Sequence, residues 1–319
     1  MRRADPAQGQ RGVAIISVLL TVALATIIVS GLFMREHITV RSVQNRIDLT
    51  QARWIERAAI DWSKVILAAD KKSTNETHLG EPWAVPVLDT RLDETVTAGA
   101  KIDEDARAAT LSGQMIDAQS RFNLNSLVVT DTQGGVGVSI ANLAVFKRLL
   151  SYLDQPESLA DVVAARILAA QPMPTTEDSD EPVAVLPMIR VSDLLALPGV
   201  DEETVEILSD YVIFLPRQDT AININTASAE VLAAAVKELD LPGARRLVTD
   251  RERVYFKDLA DFNTKVGSNP QSEENAQLSL DSDWFLVRGL IRFGRVESLT
   301  ETLLRREPSK VEVIWQRRL

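Results

Sequence analysis

The chain has no cysteine among its 319 residues and only two histidines, His37 and His78. The first absence excludes disulfides, thiolate metal sites and a cysteine nucleophile. It fits the cytosol, and equally a periplasmic domain that does not rely on disulfides. Neither histidine has a recognisable partner motif, and no P-loop, GxGxxG, GxSxG or HExxH occurs. Adjacent carboxylates such as Glu202-Glu203 and Glu273-Glu274 read as solvated faces, so no enzyme is expected. Positive charge is also short. Against 45 Asp and Glu stand 35 Lys and Arg, a net of −10, which argues against general polyanion binding.

Two local absences matter more. Val13 to Met34 carries no charged residue, and Arg11 and Arg35 bracket it. A secretory signal has an apolar core of about 7–15 residues and a small-residue cut site. This run is longer, no A-x-A closes it, and it is long enough to cross a bilayer. Arg2, Arg3 and Arg11 favour a cytoplasmic N-terminus, although Arg35, Arg41 and Arg46 on the far flank mute that signal. Second, no proline or glycine interrupts Leu32 to Lys72. Val40, Val43, Ile47, Ile55, Ala58, Trp62, Val65 and Ala69 form one apolar stripe at the 3.6-residue period. The spacing predicts a single helix from about Val13 to Ala69, half in lipid and half lying on a soluble domain along that stripe.

The hydrophobic content of 45% and charged content of 25% are those of a globular protein, with room for two soluble units. Pro82, Pro86 and Gly80 mark loops. Residues 109–127 read as a strand that turns at Asn123 and Asn125. Ile140–Leu153 and Leu159–Ala170 read as helices, and Gln171–Pro182 as an acidic loop. "RVSDLLALPGVDEETVEILSDYVIFLP" and "ININTASAEVLAAAVKELDLPGARRLVTDR" each read as helix, turn, helix. Thr226 is the expected N-cap of the second, with Glu230 in its first turn. After Asp283 the period switches to two. "WFLVRGLIRFGRVE", "SLTETLLRRE" and "KVEVIWQRR" predict an antiparallel meander that turns at Glu307-Pro308-Ser309.

The Arg11-Gly12 leader before an apolar helix resembles type IV prepilins. Together with "DAQSRFNLNSL" (Asp117–Leu127), "ININTAS" (Ile222–Ser228) and "VEVIWQRR" (Val311–Arg318), it resembles the minor pseudopilin K family of type II secretion systems. The resemblance covers nearly the whole chain. It implies an α+β, pilin-like fold: a long N-terminal helix packed on an antiparallel sheet, with a large inserted all-helical domain. The expected division is a leader (1–12), a membrane segment (13–34), a first pilin-like part (35–126), the helical insert (127–262) and C-terminal strands (263–319). By the same resemblance, prepilin peptidase cuts after Gly12 and methylates the new amine of Val13. The protein would sit in the inner membrane, single-pass, with its C-terminal domain in the periplasm. It would cap the pseudopilus tip with minor pseudopilins I and J above the major subunit, its insert blocking further addition.

Most pilins carry Glu at the fifth mature position, where the carboxylate can pair with a neighbour's N-terminal amine. Here that position is Ser17. A subunit with nothing ahead of it has no amine to neutralise, and a buried carboxylate without a partner is costly. The family resemblance also implies a calcium site. The loop from Asp261 to Asp283 offers Asp261, Asn263, Ser268, Asn269, Glu273, Asp281 and Asp283, among which Asp261, Asn263, Asp281 and Asp283 are the candidate ligands. Calcium takes six to eight oxygens, and the spacing is not that of an EF-hand. A competing reading is a membrane-tethered helix–hairpin–helix DNA-uptake protein, because "ALPGV" and "LPGA" resemble that module's turn. The second turn glycine that lets a phosphate approach is replaced by Asp201 and Arg245. Arg190 to Lys265 holds nine Lys/Arg against fourteen Asp/Glu, a net of −5, so no nucleic-acid partner is expected.

Overall fold

A computed structural model describes residues 10–91, 109–130, 135–171, 185–267, 276–294 and 296–319. The chain forms two compact units. One holds the residues up to Glu56 with Arg91–Thr110 and Ile291–Ser298; the other holds Arg57–Thr90, Leu111–Leu290 and Leu299–Leu319.

Helix α1 runs without a break from Gln10 to Ser73. Its uncharged stretch suits an apolar surrounding in one further respect. The hydroxyls of Ser17, Thr21 and Thr26 donate back to the carbonyls of Ala14, Ser17 and Val22 at 2.8–2.9 Å. Those three hydroxyls need no partner outside the helix. In the first unit, the turn after strand β9 (Trp284–Phe293) is Gly294 at φ 57°, and the Asp48 carboxylate lies 3.2 Å from where a Cβ would stand. Left-handed backbone and close approach both require glycine at that position.

In the second unit the buried positions of α1 are Ile60, Ser63, Leu67 and Asp70, spaced three and four apart. Ile60 and Leu67 pack with Trp83, Phe285 and Leu304, and the Trp83 and Phe285 rings meet edge-on at 5.2 Å. The expected contact stripe therefore lies elsewhere. Val40, Val43, Ile47, Trp62 and Val65 are all more than half exposed, and Ala58 and Ala69 are exposed as well. Periodicity correctly groups these residues on one face, but the chain's own core takes the other. That other face tolerates Ser63 and Asp70 because each has a hydrogen-bond partner.

Five strands form one sheet in the order β1 (Val87–Arg91), β2 (Thr110–Asp117), β9, β10 (Val296–Arg306), β11 (Val311–Arg318). Arg306 meets Asp283 at one end of β9–β10 and Thr300 meets Gly289 nearer the turn, the crossing order of an antiparallel hairpin. β10 and β11 pair antiparallel from Thr300↔Arg318 to Arg306↔Val311, with a register shift between Leu303 and Leu304. The expected meander is present, with its first turn at Gly294.

The helical block opens at β3 (Phe122–Asn123), which pairs parallel with β6 (Val212–Ile213), and later β7 (Ile222–Asn223) pairs parallel with β8 (Leu278–Ser279). Its helices are α2 (Ile140–Tyr152), α3 (Ser158–Ala169), α4 (Glu202–Ser209), α5 (Ala229–Ala235), α6 (Leu241–Arg253) and α7 (Leu259–Val266). β4 (Val128–Thr130) and β5 (Val136–Val138) form a short antiparallel pair between them. One apolar core spans Phe122 to Ala276, wider than the 127–262 span drawn from the sequence, because the paired strands contribute to it. Phe122 stacks on Phe146 at 5.6 Å, and Phe256 meets Phe262 edge-on at 5.4 Å. A smaller cluster joins Ile213 and Leu215 of this block to Trp284, Leu286 and Leu303 of the sheet. The expected α+β pilin-like class is thus observed.

Leu67→Ala should lower unfolding stability by about 3 kcal/mol, since it empties a fully buried site. Val65→Ala, two residues away but exposed, should change it by less than about 0.5 kcal/mol. Thermal unfolding of the full chain in detergent, followed by circular dichroism, compares the two.

Candidate functional site

Two features stand out for function: the outward apolar face of α1, and a polar junction buried in the second unit. Gly12 and Val13, the expected processing positions, both fall inside α1, near its first turn. From Val13 the apolar side chains of α1 are uncovered to Met34, and the helix is long and apolar enough to cross a membrane. Ser17 is exposed, with its hydroxyl turned back to the Ala14 carbonyl at 2.9 Å. No charge is present at that position.

The junction is built on Asp117 and Arg306. Asp117 caps the turn after β2, where its Oδ1 accepts from the Gln119 amide at 2.8 Å. Its Oδ2 accepts from Thr226 Oγ1 at 2.5 Å, Ser282 Oγ at 2.7 Å and Asn223 Nδ2 at 2.9 Å. Burial pushes the carboxyl's pKa up, against the pull of those four donors. Thr226 is therefore not the helix cap expected of it. Ser228 caps α5 instead, accepting from the Val231 amide, while Thr226 is spent on Asp117. Arg306, 1% exposed, donates to Asp70 Oδ2 at 2.6 Å, Thr77 Oγ1 at 2.7 Å, the Ser282 carbonyl at 2.7 Å and Asp281 Oδ1 at 2.9 Å. Its guanidinium also faces the Phe285 ring.

A third set of bonds repeats at an interval of one hundred residues. Asn123 Oδ1 accepts from the Asn125 amide, and Asn223 Oδ1 from the Asn225 amide. The second asparagine of each pair then reaches a distant carbonyl, Leu215 for Asn125 and Phe256 for Asn225. Arg251 closes the second copy by donating to the carbonyls of Ile224 and Ala227, and burial lowers its pKa to about 10. These N-x-N turns account for much of the "FNLNSL" and "ININTAS" signatures.

The four candidate calcium ligands do not assemble. Asp261 and Asn263 sit on α7, whereas Asp281 and Asp283 precede β9. Asp281 is already held by Lys71 and Arg306, two cations that oppose a third positive charge. Among the described residues no group of three or more His, Asp or Glu side chains is placed around one point. Among the described residues Asp261, Asn263, Asp281 and Asp283 therefore form no single group, and the calcium site stays an expectation of the resemblance. Ser268, Asn269 and Glu273 lie outside the described residues. The helix–hairpin–helix turns differ from expectation. Gly199 does occupy a left-handed turn at φ 82°, but Asp201 then caps α4 through the Thr204 amide at 2.8 Å. The second "LPG" is no hairpin turn: Pro242 and Gly243 begin α6, and Asp240 accepts the Gly243 amide at 2.7 Å. Each helix start thus holds a carboxylate where a phosphate would have to sit, and Arg245 lies 3.6 Å from Glu230.

The junction has a measurable titration. Burial, and then the neighbouring Glu81, raise the Asp70 pKa to about 6. The folded state holds this proton more tightly than the unfolded chain, so the stabilisation is complete below the unfolded value of 3.8 and is lost as pH rises through about 6. A carboxyl carbon resonance of Asp70 with a midpoint near 6 is the expected NMR result. Arg306→Gln should cost about 3–5 kcal/mol, because it leaves buried carboxylate without its cation. Arg305→Gln, whose partner Glu307 is half-buried, should cost less than about 1 kcal/mol. Denaturant midpoints of the two variants decide.

Comparison with known proteins bears on the same regions. Two family models described as type II secretion system protein K match residues 120–217 and 222–281, which begin at the two N-x-N turns. Relatives named type II secretion system protein K resemble the chain over nearly its full length. That of Pseudomonas aeruginosa is 29% identical, across 96% of this chain and 92% of the relative. That of Pectobacterium carotovorum is 27% identical, across 96% and 95%. A chain in the crystal structure of the GspK–GspI–GspJ complex from enterotoxigenic Escherichia coli shares the fold at a TM-score of 0.67 and 20% identity, covering 87% of this chain and 99% of that one. With both signature turns inside the matched regions and the long apolar helix, sheet and helical block in place, the chain is similar along nearly its whole length to the type II secretion system protein K family.

Proposed function

We propose that the protein is the minor pseudopilin at the tip of the type II secretion pseudopilus, where it initiates or caps the filament. The observation that carries this reading is the outward apolar face of α1. It begins in a segment of membrane-spanning length and goes on through Val40, Val43 and Ile47 in a helix without a break. A tethered soluble domain has no use for such a face beyond the bilayer. A subunit whose helix packs among other helices does.

Val13–Met34 then anchors the chain in the inner membrane, and the folded part lies in the periplasm. Prepilin peptidase removes the leader after Gly12 and methylates Val13. Ser17 supports the leading position. An uncharged side chain closed on its own helix asks nothing of an amine ahead of it. The GspK–GspI–GspJ complex of the structural neighbour supports minor pseudopilins I and J as the lateral partners. The helical block supplies bulk on the folded part that hinders addition of another subunit in front.

Mass spectrometry of the protein purified from membranes that contain prepilin peptidase should find an N-terminus at methylated Val13. A mature product that retains Met1 to Gly12 overturns the reading. The full chain should also co-purify with pseudopilins I and J of its own system.

A further inference from the structure

We infer that α1 between Arg35 and Trp54 is one side of a charge-matched helix pair, whose other side is a parallel, membrane-rooted helix with Asp or Glu along one flank of its apolar stripe. The inference rests on the tip reading and specifies the chemistry of the neighbour.

The apolar stripe here is Val40, Val43, Ile47 and Trp54, each 51–67% exposed. Its two flanks differ. On one, Arg41 stands about two turns before Asp48, and Asp48 lies against the Gly294 turn of the chain's own β9–β10 hairpin. On the other stand Arg35, Arg46 and Arg53, separated by eleven and seven residues, or about three and two helical turns. They form one exposed row, and among the described residues no ion pair joins any of them to a carboxylate. A single-sign row beside an uncovered apolar seam selects an occupant of opposite charge, since guanidinium–carboxylate pairs fix register as well as steer approach. Trp54 is the large anchor beside the row. Two alternatives fit worse. In a parallel pair each flank meets the partner's opposite flank, so a second copy of this chain would offer the arginines Asp48, which the hairpin already approaches, beside the like-charged Arg41, with Glu36 on the seam itself as the other carboxylate. A lipid surface would leave Trp54 nineteen residues, about 28 Å along the helix, beyond Arg35.

The test uses the full chain in nanodiscs with pseudopilins I and J of the same secretion system, measuring affinity at low and at physiological salt. Wild type should bind at least one of them more weakly as salt rises. R46E/R53E should weaken that binding about tenfold and flatten the salt dependence, with an unchanged thermal midpoint. R46K/R53K, which keeps both charges, should stay within about threefold of wild type. Unchanged affinity in R46E/R53E, alongside clear loss in W54A, would show an apolar seam with no charge matching; the inference falls and the tip reading stands. Failure of the wild-type chain to bind either pseudopilin overturns both.

Discussion

The guanidinium of Arg306 is buried almost completely, and a buried cation persists only where every nearby acceptor is turned toward it. That condition is met by four groups from separate parts of the chain: Asp70 near the end of α1, Thr77 in the loop after it, and Asp281 and the Ser282 carbonyl ahead of β9. Asp117 is the buried acid of the same junction, joined to it through Ser282, whose hydroxyl it takes and whose carbonyl Arg306 reaches. Thr77, Asn223 and Ser282 belong to both neighbourhoods, since Asn223 also donates to the Thr77 carbonyl and to Ser282 Oγ. The result is one continuous polar seam in which the end of α1, the end of β2, the start of the second N-x-N turn and the approach to β9 are mutually fixed. Such a seam costs more to form than an apolar one of equal size. Its return is geometric, because its directional bonds fix the relative placement of these segments, even with the Arg306 Nε left without a partner.

This constraint explains the otherwise odd orientation of α1 in the second unit. Once Asp70 must meet Arg306, the face that carries Asp70, Leu67, Ser63 and Ile60 is the one turned inward. Trp62 and Val65 are then turned outward. In an isolated soluble protein a row of this kind is a liability, and contiguous exposed apolar patches usually mark an interaction surface. The energetics of the fold and of assembly are separated by residue: Leu67 and Asp70 serve the first, and their neighbours one or two positions away are left free for the second.

Much of the architecture was legible before any coordinates. The run from Val13 to Met34, the lack of helix breakers to Lys72, and the switch to period two after Asp283 each arise from local physics, and each element appears where expected. Two readings failed for a shared reason. The stripe from Val40 to Ala69 identifies a face but not which neighbour covers it. Thr226 has every local property of an N-cap, yet its hydroxyl is claimed by Asp117, 109 positions earlier. The same kind of pairing reaches Asp281, which Lys71 and Arg306 contact from 210 and 25 positions away. Long-range polar pairing leaves no periodic trace. The signal that was available lay in the quoted motifs. "DAQSRFN" and "ININTAS" hold Asp117, Asn123, Asn223, Asn225 and Thr226, so the resemblance rested on junction residues whose chemistry the sequence alone did not reveal.

Asparagine at both N-x-N turns follows from what the position demands. The side-chain oxygen must accept from the amide two residues on, and the side-chain nitrogen must donate to a carbonyl elsewhere: Asn123 to Arg217, and Asn223 to Thr77. Aspartate supplies the acceptor but no donor, and would add charge to a buried site. Serine offers one short hydroxyl that cannot span both directions. Asn223 goes further than Asn123 by also donating to the Asp117 carboxylate, so the second turn is tied to the charged seam while the first is tied to Arg217 and Thr220. Two turns with the same local geometry thus take different roles, one closing the helical block on itself and the other binding that block to the strands and helix that carry it.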